Sequence, residues 1–178
     1  NWCKINDLNC FRGSENNVYE RVLNAHQRFK TDIIVELTGD CILITPELID
    51  HAIQIFLDND YDYVSVSDPL GMNAQVYTLK VLKSISTRRK LEYLDKEHVT
   101  PYLYNSGKYK IFREIINENL GCPKVSFPLD TIEDWKLIDK ICKNFNNFEF
   151  SFEEIVKFLK KNPDIINLNK HIKRKGLT

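Results

Sequence analysis

The stretch Asp32-Ile33-Ile34-Val35-Glu36-Leu37-Thr38-Gly39-Asp40-Cys41 decides the fold. Its first half is a short apolar run, the pattern of a strand covered on both faces by helices. Its second half turns the chain out of that strand. Gly39 permits a tight turn and a close backbone approach to a ligand, and Asp40 places a carboxylate just past the strand end. Upstream, Val18, Val22, Ala25 and Phe29 fall on one helical face. Downstream, Thr45 caps a helix with Pro46 at its first position and Glu47 in its first turn. Leu48, Ala52, Ile55 and Phe56 form the buried stripe of that helix.

The alternation continues outward. A strand is expected over 61–67, a helix over 80–87, and a further helix over 96–104 that Pro101 bends or interrupts. Residues 124–129 read as another strand. Thr131 with Asp134 forms a capping box with Asp in place of the usual Glu, opening a helix that buries Trp135, Ile138, Cys142 and Phe145. Ser151 with Glu154 is a second capping box, and Pro163 stops the helix it opens. Lys170, His171, Lys173, Arg174 and Lys175 make a basic tail over 164–178 that reads as a solvated end. Strands alternating with helices imply an α/β fold, a mostly parallel sheet between helices, formed by residues 1–178 as one domain. Ligands of such folds lie beyond the carboxyl ends of the strands.

The composition is that of an ordinary globular domain. The chain has 178 residues, 43% of them hydrophobic and 28% charged, with 25 basic and 25 acidic side chains and therefore no net charge. Neutrality removes the electrostatic footprint of a nucleic-acid or acidic-membrane partner. No apolar run is long enough to span a bilayer, and no secretory signal opens the sequence. Five cysteines at wide spacing, without a CxxC pair, suggest neither a disulfide framework nor a zinc site, so reduced thiols in a cytoplasmic protein are expected.

Polar residues at the expected ligand edge are the site candidates. Asp40 suits Mg²⁺, a hard cation that takes carboxylate and phosphate oxygens; it also suits the plain role of capping a turn. Asp130 follows the second strand end, where it either caps the next helix or joins Asp40 on one metal. Arg12-Gly13-Ser14 precedes a helix that carries Arg21, an arrangement fit for an anion or for a simple capped helix. Glu97-His98 offers an acid/base pair or a packed surface histidine. The DxD spacing within Asp58-Asn59-Asp60-Tyr61-Asp62 falls at the wrong end of its strand and reads as a solvated turn. His26 and His51 have no Cys or His at ligand spacing and receive no role.

Taken in order, Phe11-Arg12-Gly13-Ser14, Val18-Tyr19-Glu20-Arg21, Leu37-Thr38-Gly39-Asp40-Cys41, Glu97-His98-Val99-Thr100-Pro101-Tyr102 and Leu129-Asp130-Thr131-Ile132-Glu133-Asp134-Trp135 resemble the spore coat polysaccharide SpsF-type family, relatives of the acylneuraminate and KDO cytidylyltransferases. The resemblance implies a GT-A-like, Rossmann-related nucleotidyltransferase fold, CTP as nucleotide, Mg²⁺ as cofactor and a sugar acid or sugar derivative as substrate. It implies that Asp40 and Asp130 are the catalytic, metal-binding aspartates. Arg12, Gly13, Ser14, Arg21 and Gly39 fall on the nucleotide side, and Gln75 and His98 on the substrate side. A homodimer is compatible with the resemblance, and the oligomeric state stays open.

The departures from the family carry expectations too. The chain has no counterpart of the family's opening A-R-x-x-S-x-R-L-P-G-K loop, whose Arg and Lys grip the triphosphate. It has Glu36, Ile42 and Gln75 where the family usually has Arg, Pro and Glu. The fold is expected to lack its N-terminal portion, and the isolated chain to turn over CTP poorly. A binding module that has lost the triphosphate grip, and a GT-A glycosyltransferase, are the alternatives.

Overall fold

A computed structural model describes residues 2–88, 90–116, 120–145 and 149–174. In chain order the elements are α1 (Trp2–Ile5), α2 (Val18–Phe29), β1 (Ile33–Glu36), α3 (Pro46–Asp58), β2 (Tyr63–Ser67), β3 (Asn73–Thr78), α4 (Leu79–Arg88), α5 (Tyr93–His98), α6 (Pro101–Asn105), β4 (Ile111–Ile115), α7 (Ile132–Asn144), α8 (Phe152–Lys161) and α9 (Pro163–Ile166). The four strands form one sheet in the order β1-β3-β2-β4.

The sheet is mixed, and its hydrogen bonds give the directions. Asp62 N–H and Tyr63 N–H both reach Lys110 C=O at one end of the β2–β4 pair, and Ile116 N–H reaches Ser67 C=O at the other, so β2 and β4 are parallel. Leu79 N–H, just after β3, bonds Asp32 C=O, just before β1, so those two are antiparallel. The β2–β3 connection is a tight turn closed by Asp68 N–H to Met72 C=O, which only antiparallel neighbours allow. The α/β character expected from the sequence is the fold, with the unexpected β3 inserted against the common direction of the other three strands.

Position in the sheet explains the burial patterns. The inner strands β2 and β3 are buried along nearly their whole length. The outer strands alternate, and on β1 only Ile34 is buried while Ile33 and Val35 are exposed. The Ile33-Ile34-Val35 run is therefore an edge strand rather than one covered on both faces.

The chain folds as two compact units, residues Asn1–Val35, Phe56–Val64 and Val76–Phe112 in the first and Glu36–Ile55, Ser65–Gln75 and Arg113–Thr178 in the second. The first has its core in Tyr19, Ile34, Tyr63, Tyr77, Leu82 and Ile85, where α2 packs on α4 and α5. Asn17 starts α2 by accepting Glu20 N–H on its side chain, and Lys30 ends it in the left-handed region, φ 53°. Its inward face is Tyr19 with Val18, Val22 and Leu23 beside it, and Phe29 is exposed, one turn past that packing. Pro101 does interrupt the chain after α5 and then opens α6 at its first turn, where its missing N–H costs nothing.

The second unit has its core in Leu43, Leu70, Met72, Phe127, Leu137, Ile141, Ile155 and Leu159. Both capping boxes form: Thr131 Oγ1 accepts from Asp134 N–H and Ser151 Oγ from Glu154 N–H, while each acid reaches back. The buried face of α7 is Asp134, Leu137, Ile138 and Ile141; of the expected stripe Ile138 is buried, Cys142 and Phe145 are partly buried against the core, and Trp135 alone is exposed, at 51%. Residues 124–129 form no regular strand. Phe127 N–H bonds Leu70 C=O and Leu129 N–H bonds Asp40 C=O, but Pro128 has no donor and breaks the ladder between them.

Candidate functional site

Three segments of the second unit converge around Asp40. The first is the turn after β1. Cys41 N–H bonds Thr38 C=O at 3.1 Å, and the Thr38 hydroxyl donates to the Cys41 sulfur at 3.1 Å. The second is the β2–β3 turn, whose Gly71 carbonyl lies 3.8 Å from the Cys41 thiol. Gly71 has φ +96°, and a Cβ there would also point at the Pro128 ring, so this turn asks for glycine. The third is the extended segment before α7. Leu129 N–H donates to the Asp40 carbonyl at 3.0 Å, so Asp40 and Asp130 stand on directly bonded neighbouring segments.

The Asp40 side chain is half-buried, and the Asp130 side chain is 57% exposed. The Asp130 carboxylate accepts from Arg174 Nη1 at 3.1 Å. Arg174 also makes two bonds to the fully buried Asp134, from Nη1 to Oδ2 at 2.9 Å and from Nη2 to Oδ1. Asp134 accepts further from the N–H groups of Asp130 and Thr131, from the Thr131 hydroxyl and from Asn169 Nδ2. Burial alone would raise the Asp134 pKa, but the bonds from Arg174, Asn169 and Thr131 outweigh it and hold the carboxyl far below the usual range. The basic tail is therefore anchored where it was expected to be solvated: Asn169 is buried and Arg174 pairs with two acids. Lys175 lies outside the described residues.

Asp68 is a buried acid that sequence reading passed over. Its Oδ1 accepts Leu70 N–H at 2.7 Å and Met72 N–H at 3.3 Å, closing the β2–β3 turn from within. Burial dominates and pushes its pKa up to about 6 in spite of these bonds. The only signal in the sequence is the Asp-Pro-Leu-Gly turn itself. An unfolded Asp68 releases its proton near pH 4, the folded one near pH 6, so the native state holds the extra proton in between. Stability should then fall by about 2 kcal/mol as the pH rises from 4 to 6. Asp68→Asn keeps an acceptor for both N–H groups and has no charge to bury. Melting curves from pH 4 to 8 should show that fall in the parent and not in the variant; equal slopes would refute it.

Burial also raises the Cys41 thiol pKa, with the Thr38 hydroxyl opposing, so this sulfur is no ready nucleophile. Gln75, on β3, is buried, and Gly39 has open space where a Cβ would lie.

Within the first unit, the Arg12-Gly13-Ser14 segment is tightly built. A Cβ on Gly13 would meet the Phe11 ring at 3.0 Å and Arg21 Cγ at 3.1 Å. Arg21 donates to the Ser14 carbonyl at 2.6 Å, and Ser14 Oγ accepts Asn17 N–H at 3.1 Å, so both serve the entry to α2. Arg12 is exposed and lines a cavity of about 530 Å³ with Lys4 and Arg28. His98 ends α5, 3.8 Å from Glu97, before a tight turn at Val99 with φ +64°. That value is a true outlier for a β-branched residue. His26 touches the Thr31 hydroxyl and His51 bonds Glu114 at 2.9 Å. Lys110 occupies the DxD turn, pairing with Asp60 and donating its N–H to Asp62. Among the described residues no group of three or more His, Cys, Asp or Glu side chains is placed to hold a metal. Asp40 and Asp130 offer oxygen alone, a donor set that suits Mg²⁺ better than zinc.

An α/β unit that ends its strands in such acid-bearing turns has the architecture of a nucleotidyltransferase, and known proteins agree. The structure superposes on a cytidylyltransferase from Leptospira borgpetersenii serovar Hardjo-bovis with a TM-score of 0.85 and 32% identity, over 97% of this chain and 74% of that one. The spore coat polysaccharide biosynthesis protein SpsF of Bacillus subtilis is 32% identical over 91% of this chain and 69% of its own length. An uncharacterised protein of Methanocaldococcus jannaschii is 37% identical over 98% of this chain and 72% of its own. The family model described as Cytidylyltransferase matches residues 3–170. The chain belongs to the cytidylyltransferase family, and so to the nucleotidyltransferases that use CTP.

Proposed function

We propose that the protein activates a sugar acid or sugar derivative with CTP for the synthesis of a surface polysaccharide, releasing pyrophosphate, and that Asp40 and Asp130 hold the Mg²⁺ this needs. The bond from Leu129 N–H to the Asp40 carbonyl carries the reading, because it brings the two acids onto adjacent segments at the ligand edge. The likeness to SpsF supports the polysaccharide role.

Nucleotidyl transfer asks the protein for in-line positioning and for relief of phosphate charge. The bound cation supplies part of that relief. The chain's own residues supply the frame. Thr38 and Cys41 close the turn that carries Asp40, the Asp68 turn braces Cys41 and Phe127, and Asp134 fixes the first turn of α7 behind Asp130. A sugar carboxylate is already ionised at neutral pH, so the attacking oxygen needs no strong base. Five free cysteines and a CTP-dependent reaction both suit the cytoplasm, and among the described residues no helix is long and apolar enough to cross a membrane.

The test is pyrophosphate release from CTP, Mg²⁺ and a panel of sugar acids, for this chain and for a version extended by the family's N-terminal strand and loop. The extended version should be active and exceed the present chain by several powers of ten, since each charged bond to phosphate contributes about 1.5–3 kcal/mol. Consumption of a nucleotide sugar without pyrophosphate would establish a glycosyltransferase instead. Silence with every nucleotide would favour the binding module.

A further inference from the structure

We propose that Arg174 is a built-in counter-charge for the metal site, occupying Asp130 when no cation does, so that cation loading and seating of the C-terminal segment oppose each other. The proposal rests on the reading of Asp130 as a cation ligand. Its footing is the unequal grip of Arg174 on two acids. Asp134 is fully buried, and four donors besides the guanidinium hold its carboxylate in place: the N–H groups of Asp130 and Thr131, the Thr131 hydroxyl and the Asn169 side-chain amide. The fork that Arg174 makes with it is the fixed end. The single bond to Asp130 Oδ2, on a side chain 57% exposed, is the free end.

A divalent cation seeking Asp130 meets this guanidinium on the same carboxylate. Two like charges a few ångströms apart repel, and in a half-exposed setting the penalty is enough to weaken cation binding by about tenfold. Linkage requires the converse: a bound cation must loosen the seat of Arg174 by the same factor. That seat has a weak point. Asn169 ties the segment down by donating to the Ser126 carbonyl at 2.7 Å and to Asp134 Oδ1 at 2.8 Å, but its own Oδ1 is buried with no hydrogen-bond partner. Release of the segment returns that oxygen to water.

The experiment uses the full chain at low ionic strength and MnCl₂ as the probe, with free Mn²⁺ counted by electron paramagnetic resonance. Arg174→Met should bind Mn²⁺ about tenfold more tightly than the parent. Because a lone buried Asp134 destabilises, the double variant D134N/R174M removes both charges of the pair and should show the same tightening. A purely structural arginine would produce weakening or no change. In a second arm, MnCl₂ should accelerate tryptic cleavage after Lys170, Lys173 and Arg174 in the parent, and not in Asp130→Asn. Unchanged or weaker Mn²⁺ binding in both Arg174 variants, with Asp130→Asn still weakening it, overturns the proposal and leaves the metal site standing. Mn²⁺ binding that is absent, or indifferent to Asp130→Asn, overturns the site reading and this proposal with it.

Discussion

Replacing Asp134 with alanine lowers the stability of the protein by about 3 kcal/mol and its melting temperature by about 8 °C. The side chain is fully buried, and its removal strands several groups at once. The N–H groups of Asp130 and Thr131 lose their acceptor, the Asn169 amide loses one of its two, and Arg174 keeps only the exposed Asp130. Lost capping contributes about 1 kcal/mol and the broken ion pair the rest. Asp134→Asn retains an acceptor for the capping N–H groups and should cost less. Calorimetric melting of the three proteins at pH 7 checks the order, and an alanine variant melting within about 2 °C of the parent would contradict the account.

Asn at position 40 or 130 lowers kcat/KM for CTP by about 1,000-fold in the extended protein, equivalent to about 4 kcal/mol of transition-state stabilisation, while the fold survives. The separation of the two effects follows from which atoms do what. Position 40 contributes its backbone carbonyl to Leu129, a bond that Asn retains. Position 130 contributes one exposed contact to Arg174, worth at most about 1 kcal/mol. The check is steady-state pyrophosphate release alongside a melting curve. Rates within tenfold of the parent for both variants would remove these residues from the reaction.

Local chemistry made part of this architecture legible. Proline at the start of α3, Pro101 between α5 and α6, and the two capping boxes each act within one turn of helix, so neighbouring residues suffice to reveal them. β3 was hidden because Asn73-Ala74-Gln75-Val76-Tyr77-Thr78 mixes amides with small apolar residues. A strand with that composition is buried only because neighbours lie on both sides of it. β4 was hidden by Arg113 and Glu114, which an outer strand tolerates. At the start of α7 pattern reading, which reserves inward positions for apolar side chains, points to Trp135, whereas the inward position belongs to the neighbouring carboxylate, Asp134. Its partner Arg174 lies 40 residues away, and nothing local to the tail announces the pairing. Asp40 and Asp130 could be chosen from their places after strand-like runs, whereas the bond that joins their segments belongs to the tertiary fold alone.

The placing of the sulfurs bears on how the molecule would be handled and how it would age. Cys41, next to Asp40, is buried with its thiol held protonated, whereas Cys10 is exposed. Alkylating reagents and peroxides attack the thiolate of an accessible cysteine first. A maleimide dye or spin label therefore goes to Cys10 in preference to Cys41, giving a reporter position without engineering. In storage, the same difference makes Cys10 the sacrificial thiol and delays oxidative damage beside the turn that carries Asp40.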